Sequence, residues 1–175
     1  IESDLESFFF FFYAQFGFVN AFAVNRHVVD FLDKTYPNKK IGFFHQSSAL
    51  IKGFQQYFSG KPGKIMALYL DRFVLHISVF VDGHIRFYNH YPIRKFEDYF
   101  RFIGFVAQEF SIHPDRDEFH IWGYLARDSK HFNSLKAKYP NLGFGGRPAE
   151  LKLSYVFDAV PEHQYFDLLS FNFLA

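Results

Sequence analysis

The dipeptide Asp82-Gly83 constrains this chain more than any other feature, because it joins two strand-like runs, Val74 to Val81 and Ile85 to Tyr91. A two-residue loop of this composition closes a type I′ turn, whose central residues both need positive φ. The predicted hairpin Val81-Asp82-Gly83-His84 sets Phe80 opposite Ile85 and Ser78 opposite Phe87. The same register puts His76 opposite Asn89 and His90 opposite Leu75, so that the two histidines are diagonal neighbours.

Elements can be read outward from this hairpin. Met66 to Leu70 is a strand before it, and Phe96 to Phe110 a long helix after it. Phe96, Tyr99, Phe100, Ile103, Val106 and Phe110 fall on one helical stripe, whereas Phe102 and Phe105 lie off it. Glu118 to Trp122 reads as a strand, followed by a helix capped by Asp128 or Ser129 and running to about Tyr139. The glycines 143, 145 and 146 form a surface loop, Ser154 to Phe157 a further strand, and Pro161-Glu162-His163 opens a final short helix. The second half is therefore β-β-β-α-β-α and a tail, the core order of a ribonuclease-H-like or actin-like lobe.

The first sixty residues read β-β-α-β-α. The strands are Phe8 to Tyr13, Phe18 to Val24 and Ile41 to His45. Asn25 caps the first helix, and Ser47 or Ser48 caps the second, which carries Leu50, Ile51, Phe54 and Tyr57-Phe58. Ser59-Gly60-Lys61-Pro62-Gly63 is the linker, since Gly and Pro cluster there and no apolar period crosses it.

Composition narrows the classes of function. Hydrophobic residues are 49% of the chain, with 28 Phe against a single Trp. Burial of each Phe stabilises by roughly 2–3 kcal/mol, so a core is easily built, while surplus rings leave patches where a partner or a missing segment would sit. Nineteen basic residues balance eighteen acidic ones, which argues against nucleic acid as a partner. Absence of cysteine excludes disulfides, thiolate metal sites and thiol nucleophiles. The apolar run Phe8 to Tyr13 falls short of the roughly 20 residues that span a bilayer, and reads as a buried strand. The start Ile1-Glu2-Ser3-Asp4-Leu5-Glu6 is acidic where a signal peptide is basic, so a cytoplasmic protein without a membrane partner is expected.

Other chemistry has bland local explanations. Asp98 sits in the first turn of its helix and Asp128 at a cap, so Asp71, Asp98 and Asp128 do not require a metal-dependent nuclease. The nine histidines form no HxH or HxxxH pair, and no Gly-x-Ser-x-Gly elbow is present. No catalytic or metal-binding residue is expected.

One succession of segments resembles a known family. Gly83-His84-Ile85-Arg86-Phe87-Tyr88-Asn89 is followed by Phe96-Glu97-Asp98-Tyr99, Ile121-Trp122-Gly123, Lys138-Tyr139, and Val160-Pro161-Glu162-His163-Gln164-Tyr165-Phe166. This order is similar to the uncharacterised bacterial (Bacteroidetes-type) domain-of-unknown-function family 3822, closely from about Leu68 to Leu169 and loosely before. The resemblance implies an α/β fold of actin-like ATPase, ribonuclease-H-like lobes with a mixed sheet. It implies that residues 1–60 end a first lobe, that 61–175 form the second, and that an N-terminal part is absent.

In that fold a phosphate-gripping loop follows the first strand, and here the matching turn is Asp71-Arg72-Phe73. Phe73 stands where a glycine is required, and Gly123 alone represents the glycine pair on the adenosine side. The nucleotide-binding candidates are thus Asp71, Arg72 and Gly123, at a degenerate site with no bound cofactor expected. ATP with Mg²⁺ is the alternative, in a nucleotide-binding ATPase with a divergent loop. The preferred expectation is a non-catalytic interaction or scaffold module, binding a protein partner or a second copy through Phe102 and Phe105, with the Phe8–Phe12 run as a further aromatic surface.

Overall fold

A computed structural model describes residues 5–13, 17–148 and 150–174. Strands β1 (Glu6–Tyr13) and β2 (Phe18–Asn25) form an antiparallel pair. Helix α1 (Arg26–Thr35) follows, started by Asn25, whose side chain accepts from the His27 N–H at 2.9 Å. Residues 41–45 then run without strand pairing into helix α2 (Gln46–Tyr57). The cap of α2 is His45 rather than Ser47 or Ser48: its Nδ1 accepts from the Ser47 N–H, and both serines are buried inside the helix.

The second half is a five-stranded mixed sheet in the order β5-β4-β3-β6-β7. Its strands are β3 (Lys64–Leu70), β4 (Val74–Val81), β5 (His84–Pro92), β6 (Glu118–Gly123) and β7 (Leu142–Phe144). The first three are antiparallel neighbours, and β6 and β7 add in parallel. Helices α3 (Glu97–Glu109) and α4 (Lys130–Lys138) lie on one face, α2 and α5 (Phe166–Ser170) on the other. Glycines 143 and 145 therefore belong to the sheet and its exit rather than to a surface loop. The segment expected as a last strand is a 3₁₀ turn, Tyr155–Phe157.

Strand alternation sorts the core between these two layers. Met66, Leu68, Leu70, Leu75, Ile77, Val79, Phe119 and Ile121 point to the α3 side, where Ile103, Val106 and Leu135 meet them. Ile65, Ala67, Tyr69, Phe80 and Trp122 point to the α2 side, against Leu50, Phe54, Phe58 and Phe166. The apolar side of α2 thus packs on the five-stranded sheet. The Trp122 ring lies 4.9–5.1 Å from those of Phe54, Tyr57 and Phe166, and its indole N–H donates to the Gly146 carbonyl. A Cβ on Gly145 would stand 1.8 Å from the indole, so close packing requires that glycine.

Asp82 and Gly83 have φ of 49° and 76°, as the type I′ turn needs. Phe80 faces Ile85, but Val79 faces Phe87 and Ser78 faces Tyr88. Arg86 is an extra residue, and the register slips by one beyond it. This bulge has a packing cause. Ile85 belongs to the α2 side and Phe87 to the α3 side, which plain alternation forbids for residues two apart. The slip brings His76 directly opposite His90, rather than opposite Asn89.

The linker is tied to this hairpin. The Gly63 N–H donates to Asp82 Oδ1, and the Asp82 N–H donates to the Gly63 carbonyl, each at 2.9 Å. Gln55 of α2 donates to the Gly83 carbonyl. The β1–β2 pair leans on the rest through its inner face: the Tyr13 hydroxyl donates to the Ser48 carbonyl, and Asn20 donates to both Ser47 and Ser48. Its outer face carries Phe8, Phe10 and Phe12, all at least 60% exposed. The Phe run is therefore a half-exposed strand, not a buried one.

Candidate functional site

The C-terminal ends of β3 and β6 gather the polar groups that the hydrophobic sheet leaves over. Beyond Leu70 the chain turns through Asp71, Arg72 and Phe73, closed by the Asp71 N–H on the Val74 carbonyl at 2.9 Å. Asp71 Oδ1 accepts the Arg72 N–H at 2.6 Å, an Asx-type contact that tightens the turn. Its Oδ2 accepts from the Gln46 amide at 3.2 Å, and the same amide donates to Asp167 Oδ2 at 2.8 Å. Tyr69 completes the group, its hydroxyl donating to Asp167 Oδ1 at 2.6 Å. Burial and the adjacent Asp167 carboxylate raise the Tyr69 phenol far above its usual range. One amide thus bridges two carboxylates from the turn and from α5, set at the first residue of α2.

Arg72 adds no cation to this group, since its guanidinium lies over the exposed Phe73 ring, 5.3 Å from the centroid. Gly123 has φ +102°, and a Cβ there would stand 2.0 Å from the Leu70 carbonyl oxygen. Its N–H donates to the His163 carbonyl, and the Tyr124 N–H to that of Leu70. Gly123 therefore lets β6 cross the end of β3 at close range.

A phosphate at this turn would find the N–H groups of Asp71 and Arg72 already bonded, and would meet two carboxylates and the Phe73 ring. A backbone nest needs free N–H donors and room for close approach, so the residues present do not fit a polyphosphate. Among the described residues, no group of three or more His, Asp or Glu side chains is placed to hold a metal ion.

A second polar cluster adjoins the first on the same side of the sheet. His76 is buried and its Nδ1 lies 2.7 Å from the Tyr88 hydroxyl. The His90 ring is 5.7 Å from His76 and 6.4 Å from His45. Burial, then the neighbouring His90, lowers His76 to about 4, so the ring is neutral at pH 7. His45 is lowered by the same two causes in the same order. Further along β5, a cleft of about 390 Å³ opens between β2, α2 and β5, with Arg86 as the one charged residue among the described residues that line it.

The aromatic candidates on α3 differ from one another. Phe102 stacks on Tyr91, with ring centroids 4.5 Å apart, and joins the rim of the core. Phe105 is 62% exposed. Asp98 is buried and accepts the N–H groups of Arg94 and Lys95, which, Arg94 foremost, hold its carboxyl below the usual range. Sequence reasoning found the turn and Gly123 but not Gln46, Tyr69 or Asp167. Asp167 lies 121 residues from its Gln46 partner and carries no local motif.

The family model described as "Protein of unknown function (DUF3822)" matches residues 11–142. The chain belongs to this family. It also resembles a solved structure from Bacteroides thetaiotaomicron, described as a protein with actin-like ATPase fold and unknown function. That likeness has a TM-score of 0.74 at 18% identity, and shows the actin-like fold of this family member. It covers 98% of the present chain and 60% of the other, so the chain spans about three fifths of the structure it resembles. No curated protein matches the chain. No helix among the described residues is long and apolar enough to cross a membrane.

Proposed function

We propose that this member of the family is a non-catalytic interaction module, in which the actin-like nucleotide site has degenerated. The observation that carries the reading is the turn after β3. Its Asp71 and Arg72 N–H groups are bonded within the turn, its glycine position is Phe73, and its carboxylate shares Gln46 with Asp167. A polyanion at this place would lose hydration against two carboxylates, with the Asp71 and Arg72 N–H groups already engaged. The surface offered to a protein partner or a second copy includes Phe105, an exposed ring on the outer side of α3.

Calorimetric titration with ATP and Mg²⁺, paired with a phosphate-release assay, tests the reading. The expected result is no saturable heat up to millimolar nucleotide and no turnover. Saturable binding with release of phosphate would overturn it in favour of a nucleotide-dependent protein with a divergent loop.

A further inference from the structure

Packing explains how β5 accommodates Arg86, but not why the strand carries that residue. With Arg86 present, a bulge lets Ile85 and Phe87 reach opposite layers. Without it the two would be consecutive, and plain alternation would send them to the same two layers. What the extra residue adds is its side chain. Bulges often re-aim a side chain beside a binding site.

That side chain lines the cleft between β2, α2 and β5. Among the described residues, the ion pairs are those of Arg101 with Asp98 and of His120 with Glu118, and no hydrogen bond or ring contact engages the Arg86 guanidinium. The cleft encloses about 390 Å³, within the roughly 300–1,000 Å³ of small-molecule sites. Both halves of the chain contribute to it: Val19 and Asn20 from β2, Ile51 from α2, and Ile85 to Tyr88 from β5. The other polar groups are held in place. The Asn20 amide donates to the Ser47 and Ser48 hydroxyls at 2.7 and 2.8 Å, which leaves its Oδ1 as an acceptor. The Tyr88 hydroxyl lies 2.7 Å from His76 Nδ1.

We propose that this cleft binds a small organic anion, its acidic group on Arg86 and its apolar body against Val19, Ile51 and Ile85. Carboxylates and phosphate esters share this chemistry, since the guanidinium fork pairs with the oxygens of either. Asn20 Oδ1 accepts from a hydroxyl or amine of the ligand. Among the described residues no carboxylate lines the cleft to oppose an anion, whereas Asp71 and Asp167 do so at the turn after β3. That turn precedes Val74, at the end of β4 away from the hairpin, so the two places are separate. The proposal is independent of whether nucleotide binds at the turn.

Amide NMR of isotope-labelled protein, titrated with phenylpropionate and with phenyl phosphate, tests it; phenylpropionamide is the neutral control. Both anions should shift the signals of residues 19–20, 51 and 85–88 saturably, with half-saturation below about 10 mM. The tighter of the two names the natural class, organic acid or phosphate ester. The neutral amide should bind at least about tenfold more weakly, as should both anions to Arg86→Ala, through loss of one charge-assisted contact. An otherwise unchanged spectrum shows that this variant is folded. Val19→Trp, which fills the cleft from an exposed position and keeps Arg86, should abolish the shifts. Equal affinity for amide and anions overturns the proposal, as does anion affinity unchanged in Arg86→Ala. Shifts absent at these residues, or confined to the exposed face of Phe8, Phe10 and Phe12, overturn it too.

Discussion

His76 shows how a single buried side chain sets a condition on the fold. Its ring is neutral when folded, titrating near 4, whereas an unfolded histidine titrates near 6.5. As pH falls below 6.5 the unfolded chain takes up the proton first, so stability is full above that value and drains away toward pH 4. The loss from this residue alone is about 3 kcal/mol. Urea midpoints measured at pH 7 and pH 4.5 should therefore differ markedly. His76→Gln should narrow the difference, leaving the part due to His45, His120 and His163, all lowered chiefly by burial. An unchanged difference in the variant would place the acid sensitivity elsewhere. Gly123 was legible as an unusual glycine, but its reason was not: the carbonyl that a Cβ would strike belongs to Leu70, 53 residues earlier in the chain.

Among the elements, the β4–β5 hairpin was the most legible and also the place where a strict period failed. Asp82-Gly83 specifies the turn locally, since both residues must take positive φ. The bulge at Arg86 has no local signature, because it answers to which layer Ile85 and Phe87 must reach. Deleting Arg86 removes the bulge and makes Ile85 and Phe87 neighbours, which plain alternation sends to opposite faces, still opposite Phe80 and Val79. The expected cost is within about 1 kcal/mol, as for a change that leaves both layers packed, measurable by chemical denaturation. Arg86→Ala keeps the bulge and should cost under about 1 kcal/mol. A loss above about 3 kcal/mol on deletion alone would show that the extra residue itself is needed to hold β5 on the sheet. The unpaired stretch 41–45 illustrates the converse: its composition is that of a strand, but a strand exists only where main-chain partners do.

For the whole molecule, the order β-β-β-α-β-α was readable because each element of the second half buries its own apolar period within that half. The arrangement of α2 was less so. Leu50 and Phe54, with Phe58 just past its end, belong to the first sixty residues in sequence but pack with the five-stranded sheet. Residues 46–174 should therefore fold alone, with a cooperative urea transition and a midpoint close to that of the whole chain; a broad, non-cooperative loss of ellipticity would mean that β1 and β2 are needed to hold α2.

The single tryptophan has a spectroscopic consequence. Eleven tyrosines can pass excitation to one indole, and that indole sits between the sheet, α2 and α5, bounded by Phe54, Tyr57 and Phe166. Trp122 emission therefore watches one contact. It shifts to the red when α2 leaves the sheet and is indifferent to the state of β1, so the chain carries its own optical gauge of the docking that joins its first half to its second.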